Sequence, residues 1–99
     1  MDKVVRRVVV RGKVQGVGYR AWTQYKARRH GLDGWVRNRT DGTVEAVFAG
    51  PAEIVQAMIE ACAHGPRLAS VTGVDRFEAS EAELALRGEP GGFVELPTL

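Results

Sequence analysis

The amino-acid sequence predicts an α+β fold in which two helices pack on one face of an antiparallel sheet. Three observations lead there. β-branched runs and stretches of helical period follow one another in the order strand, helix, strand, strand, helix, strand. The dipeptide Asp41-Gly42 separates the second and third strand-like runs, and it is the strongest short-range signal for an antiparallel hairpin. At 99 residues the chain has the length of one domain, so both helices share a core with the sheet. This order is the split βαβ, or ferredoxin-like, arrangement βαββαβ, and a single domain over residues 1–99 is expected.

Each element has its own justification. Residues 4–11 are β-branched and cationic, the composition of a first strand. Three glycines between positions 12 and 18 mark a loop. From Tyr19 the spacing changes: Tyr19, Trp22, Thr23, Lys26, Ala27 and His30 fall on one face of a 3.6-residue period, and Gly31 stops the helix. Residues 35–39 and 43–49 are the strands of the hairpin. Gly50-Pro51 opens a second helix, with Pro51 at the first helical position, where a missing N–H does no harm. Ile54, Val55, Met58, Ile59 and Cys62 form its apolar face, and Gly65-Pro66 ends it. Residues 71–79 give a fourth strand. After a polar stretch, residues 93–96 can add a short fifth strand at the C-terminus.

The formal net charge of +2 hides an asymmetry. Residues 1–39 carry 11 basic and 2 acidic side chains, whereas residues 40–99 carry 3 basic and 10 acidic ones. A basic half either binds anions or complements acidic strands within the sheet. The lone Cys62 excludes an internal disulfide framework and a cysteine-built zinc site. His30 and His64 are too far apart in sequence to form a metal-ligand motif. No apolar run approaches the roughly 20 residues of a membrane span, and no signal-peptide core is evident, so a cytoplasmic location is expected.

The segment Gly12-Lys13-Val14-Gln15-Gly16-Val17-Gly18-Tyr19-Arg20 carries the chemistry. It runs from a strand into a helix, whose first backbone N–H groups lack intrahelical partners and favour an anion. Gly16 and Gly18 let the backbone approach a ligand closely. Arg20 falls in the first helical turn, where a cation opposes the helix dipole; a bound phosphate would resolve that conflict and accept paired hydrogen bonds from the guanidinium. A turn that merely connects needs fewer glycines. The stretch also matches G-x-G-x-x-A, but the dinucleotide fold requires a parallel βαβ unit and a longer chain. A Walker motif is excluded because no Gly-Lys-Ser/Thr follows the glycines. Asn38, the chain's only asparagine, stands near the end of a strand. It is either a turn-former beside Thr40-Asp41-Gly42 or an amide suited to holding a water in line with a bound phosphorus.

Taken with Gly31-Leu32-x-Gly34-Trp35-Val36-Arg37-Asn38 and Asp41-Gly42-Thr43-Val44, this segment closely resembles the acylphosphatase family. Gly50-Pro51, Gly65-Pro66 and Gly92-Phe93 extend the resemblance over essentially the whole chain. The resemblance implies hydrolysis of a carboxyl–phosphate anhydride, with a small-molecule acyl phosphate as substrate. It implies that Gln15, Gly16, Val17, Gly18, Tyr19 and Arg20 hold the phosphoryl group, where phosphate or sulfate would also bind. It assigns Asn38 to orienting the attacking water, and Arg20 and Asn38 become the catalytic pair. No metal or organic cofactor, nucleic acid or membrane is implied, and a monomer is expected. Neither motif contains an acid, histidine or cysteine, so the substrate phosphate is expected to take the water's proton.

The remaining residues have plainer expected roles. His30 packs on the helix's core stripe, His64 interacts with the last helix carbonyls, and Cys62 is a small core hydrophobe. Trp22 and Trp35 pack rather than stack on substrate. Arg39 departs from the small or neutral residue that many relatives place beside the asparagine. Two alternatives remain: an RNA-binding module of the same topology, for which residues 4–10 and 44–49 offer only Phe48 as a stacking surface, and a non-catalytic anion-binding module.

Overall fold

A computed structural model describes residues 2–88 and 91–99. The strands are β1 (Lys3–Lys13), β2 (Asp33–Asn38), β3 (Val44–Pro51), β4 (Ser70–Glu78) and β5 (Phe93–Glu95). The helices are α1 (Tyr19–Arg29), α2 (Ala52–Cys62) and a single turn, α3 (Glu81–Leu84), which continues as a 3₁₀ turn over Ala85–Arg87. The sheet order is β4-β1-β3-β2-β5. β1 pairs antiparallel with β3 and β4, and β2 pairs antiparallel with β3, as the hairpin signal predicts. The fifth strand is present but lies parallel to β2, with Gly34 opposite Phe93 and Val36 opposite Glu95, so the sheet is mixed. The connection through α3 returns the chain to the β2 edge in the direction of β2, which a hairpin would not allow.

Alternation along the strands divides the side chains between two faces. On the face under α1 and α2, Val8, Val10, Val36, Val44, Ala46, Phe48 and Phe93 pack against Tyr19, Ala27, Val55, Met58, Ile59 and Cys62. On the other face, Val5, Trp35, Val47 and Ala49 gather under Leu84. That second cluster was not expected, because residues 80–92 read only as a polar stretch; Glu89 and Pro90 of that stretch lie outside the described residues. Ser80 is the N-cap of α3, its Oγ accepting the Glu83 N–H at 3.1 Å while Glu83 Oε1 accepts the Ser80 N–H at 3.1 Å. Trp35 Nε1–H donates to the Glu83 carbonyl at 2.8 Å, so the indole packs with its polar end satisfied.

Two helix ends differ from expectation. His30 is exposed rather than packed, because α1 has already ended: the Gly31 N–H donates to Arg28 and the Leu32 N–H donates to Ala27, a Schellman closure with Gly31 at φ 69°. Leu32, 2% exposed, takes the buried place that continued periodicity would give His30. Pro51 is the N-cap of α2 rather than its first helical residue. His64 is exposed, and its backbone N–H donates to the Ala61 carbonyl.

Candidate active site

The β1–α1 connection is built around two left-handed glycines, Gly16 at φ 74° and Gly18 at φ 81°, with Val17 between them at negative φ. Such alternation turns successive N–H groups toward one point. Gly18 is the N-cap of α1, and the first helical bond runs from the Trp22 N–H to the Gly18 carbonyl at 3.0 Å. Among the described residues, the backbone N–H groups from Gln15 to Ala21 have no backbone acceptor. Five of these residues, Gly16, Gly18, Tyr19, Arg20 and Ala21, border one small volume at the positive end of the helix dipole, while Gln15 and Val17 lie outside it.

That volume is a pocket of about 140 Å³ lined by Val14, Gly16, Gly18, Tyr19, Arg20, Ala21, Asn38 and Glu95. The structure thus brings together Arg20, from the first turn of α1, and Asn38, from the end of β2. Asn38 reaches the pocket because it shares the helix-side face with Val36, two positions earlier. Its backbone carbonyl accepts the Leu99 N–H at 3.0 Å, which fixes the strand end. Its Oδ1 is buried and has no hydrogen-bond partner among the described residues.

Other expected site residues turn their side chains elsewhere, leaving only backbone to offer. Gln15 Nε2 donates to the carbonyls of Arg39 and Thr43, both at 2.8 Å, stitching the loop to the β2–β3 hairpin beside Asn38. The Tyr19 ring is buried, and its hydroxyl donates to the Cys62 carbonyl at 2.6 Å, tying α1 to α2; burial drives its acidity well below that of a free phenol. Val17 packs against the helix-side core. Arg39 points to the hairpin, 3.8 Å from Asp41, and does not line the pocket. Asp41 accepts from the Thr43 hydroxyl and N–H, which hold its carboxyl below the usual range and shape the turn next to Asn38.

One residue was missed. Glu95 enters the pocket from β5 and pairs with Arg20, Oε2 to Nη1 at 3.2 Å. An acidic residue two positions after Phe93, on the strand face that Phe93 buries, was the available signal. Cys62 is buried, and burial pushes its thiol up to about 12, as befits a core hydrophobe. Phe48 is fully buried and stacked on Phe93, so it cannot serve as a platform for a base. Among the described residues, no three His, Cys, Asp or Glu side chains cluster as metal ligands. No helix of the described residues is long and apolar enough to cross a membrane.

Fold and pocket together define a ferredoxin-like α+β domain with an amide-lined, arginine-bearing pocket at the β1–α1 junction. The acylphosphatase family model matches residues 6–89. An acylphosphatase of Rhodopseudomonas palustris (strain BisB18) is 52% identical over 99 residues, covering 100% of both chains. The crystal structure of acylphosphatase from Bacillus subtilis superposes with a TM-score of 0.81 at 34% identity, covering 94% of this chain and 98% of that one. An acylphosphatase structure from Coxiella burnetii gives 0.83 at 30% identity, covering 96% and 94%. The chain belongs to the acylphosphatase family, and its activity is that of an acylphosphatase.

Proposed function

We propose that the chain cleaves the carboxyl–phosphate bond of a small acyl phosphate, with the 15–20 backbone and the Arg20 guanidinium holding the phosphoryl group and Asn38 aiming a water at it. The observation that carries this reading is the orphaned Asn38 Oδ1 in the same pocket as Arg20 and the unpaired loop amides. A buried acceptor left unpaired costs about 1–3 kcal/mol, so the site favours a donor there. A water that donates to Oδ1 is held beside the anion the amides attract.

The chemistry then needs few parts. The water oxygen attacks phosphorus in line with the acyl oxygen, and the P–O bond to the acyl group breaks. Its electron pair leaves as a carboxylate, whose low basicity spares the enzyme a general acid. The water's proton passes to a phosphoryl oxygen, giving inorganic phosphate. Amides and guanidinium stabilise the charge that spreads over the other phosphoryl oxygens. A monomeric, single-domain enzyme of the cytoplasm completes the reading; the inert, unpaired thiol of Cys62 suits a reducing compartment.

The test is phosphate release from benzoyl phosphate with EDTA present, for the wild-type protein, Arg20→Gln and Asn38→Ala. Each variant should lose about 10²–10³ in kcat, the effect of deleting one hydrogen-bonding group that acts in the transition state. Circular dichroism and thermal unfolding should stay near wild type. Wild-type turnover in either variant would overturn the assignment.

A further inference from the structure

We propose that Glu95 is the resident counter-anion of Arg20 and sets how loosely the pocket holds phosphate. The inference rests on the reading of the pocket given above. The Arg20–Glu95 contact is made inside the pocket, and the two side chains are 36% and 38% exposed, so the pair is partly shielded from solvent. It is a charge contact, Nη1 to Oε2 at 3.2 Å, that commits no aligned hydrogen bond of the guanidinium. The guanidinium N–H groups remain able to donate to an incoming anion. The pair therefore either persists beside that anion or breaks in its favour. In the first case the carboxylate repels the anion, and in the second the anion must replace an existing partner. Both subtract from its hold.

Such a brake has a use in this reaction. Inorganic phosphate, the product, carries the same oxygens that anchor the substrate. Amides and guanidinium that grip the substrate's phosphoryl group also grip the product, and binding common to both does not speed the chemical step. A fixed negative charge at the rim weakens that common term. Its placement depends on β5 lying parallel to β2, which sets Glu95 opposite Val36 and next to the strand end that carries Asn38.

The discriminating variant is Glu95→Gln, which keeps size and hydrogen bonding and removes the charge. Binding of inorganic phosphate, measured by calorimetry and as competitive inhibition of benzoyl phosphate hydrolysis, should tighten about two- to fivefold, the scale of a partly exposed charge pair. KM should fall with it, while kcat does not rise. Asp75→Asn removes an equal charge from β4, where Asp75 pairs with Arg11, and should leave phosphate affinity unchanged. Unchanged or weaker phosphate binding in Glu95→Gln overturns the proposal and makes the carboxylate a support for Arg20. Equal tightening in Asp75→Asn also overturns it, since net charge alone would then suffice. A wild-type protein that neither binds phosphate nor hydrolyses benzoyl phosphate would instead sink the reading of the pocket itself.

Discussion

The two faces of the sheet are held by different physics. The helix-side face carries the larger apolar core, and Arg20, Asn38 and Glu95 meet at one end of it. The opposite face is polar across its middle: Glu45, 5% exposed, accepts from Arg7 at 2.7 Å and from Arg37 at 2.8 Å. Arg7 lies over the Phe77 ring and Arg37 over the Trp35 ring, so each cation is also covered by an aromatic face. The basic first half of the chain thus answers in part to an acid in the second half, within the sheet. Arg20 stands apart, on the other face and at the helix N-terminus. On the proposed reading of the pocket, charge serves structure on one face and binding on the other, and substitutions should separate the two.

The sharpest separation comes from Trp35→Ala. It empties the cluster under Leu84 and strands the Glu83 carbonyl, and truncation of a buried aromatic costs about 3–5 kcal/mol. Denaturant unfolding should show that loss, while kcat per folded molecule stays near wild type because Trp35 faces away from the pocket. A comparable loss of kcat in molecules shown to be folded would join the two faces into one functional unit.

Next in size is Glu45→Ala, which leaves Arg7 and Arg37 without their shared anion. Breaking a buried pair in this one-sided way costs about 3 kcal/mol. The pH dependence carries a sign. Burial raises the Glu45 carboxyl, but hydrogen bonds from Arg7 and Arg37 outweigh it and leave the value below the ordinary 4.5. Its contribution is therefore present in full above 4.5 and fades as pH falls through the lower folded value. Glu45→Gln should be less stable at neutral pH and show a flatter loss of stability on acidification. A slope identical to wild type below pH 5 would mean that other carboxylates drive acid unfolding.

Much of this was legible because it is local. The Asp41-Gly42 hairpin, the glycine-rich entry to α1 and the placement of Arg20 in its first turn each depend on fewer than about ten adjacent residues. Asn38 was legible as an outlier in a strand. Glu95 was legible only as an acid on the face that Phe93 buries: it reaches the pocket through the parallel pairing of β5 with β2, and nothing near residues 93–96 encodes that partner. The Glu45 triad was hidden for the same reason, since Arg7 and Arg37 meet it across two strand pairings. His30 failed differently, its period continuing past a glycine that had already ended the helix. The α3 turn is too short to show a period, yet its Ser80-x-x-Glu83 capping box was written in the sequence.

That capping box offers the mildest test of the contrast between the faces. Ser80→Ala removes the acceptor for the Glu83 N–H and should cost about 1 kcal/mol, or roughly 4–8 °C in Tm for a domain of this size. The loss reaches the sheet through Leu84, which is buried against Val5 and Trp35, and through the Trp35 bond to the Glu83 carbonyl. Amide exchange should therefore quicken across residues 80–87 first. The N–H groups of β1 and β3, central in the sheet, should exchange only with global unfolding. Phosphate affinity and kcat should stay unchanged, because the cap touches neither the loop nor Asn38. Loss of protection at the β1–α1 loop in the same variant would show that the outer cap also steadies the pocket, and the division of labour between the faces would fail.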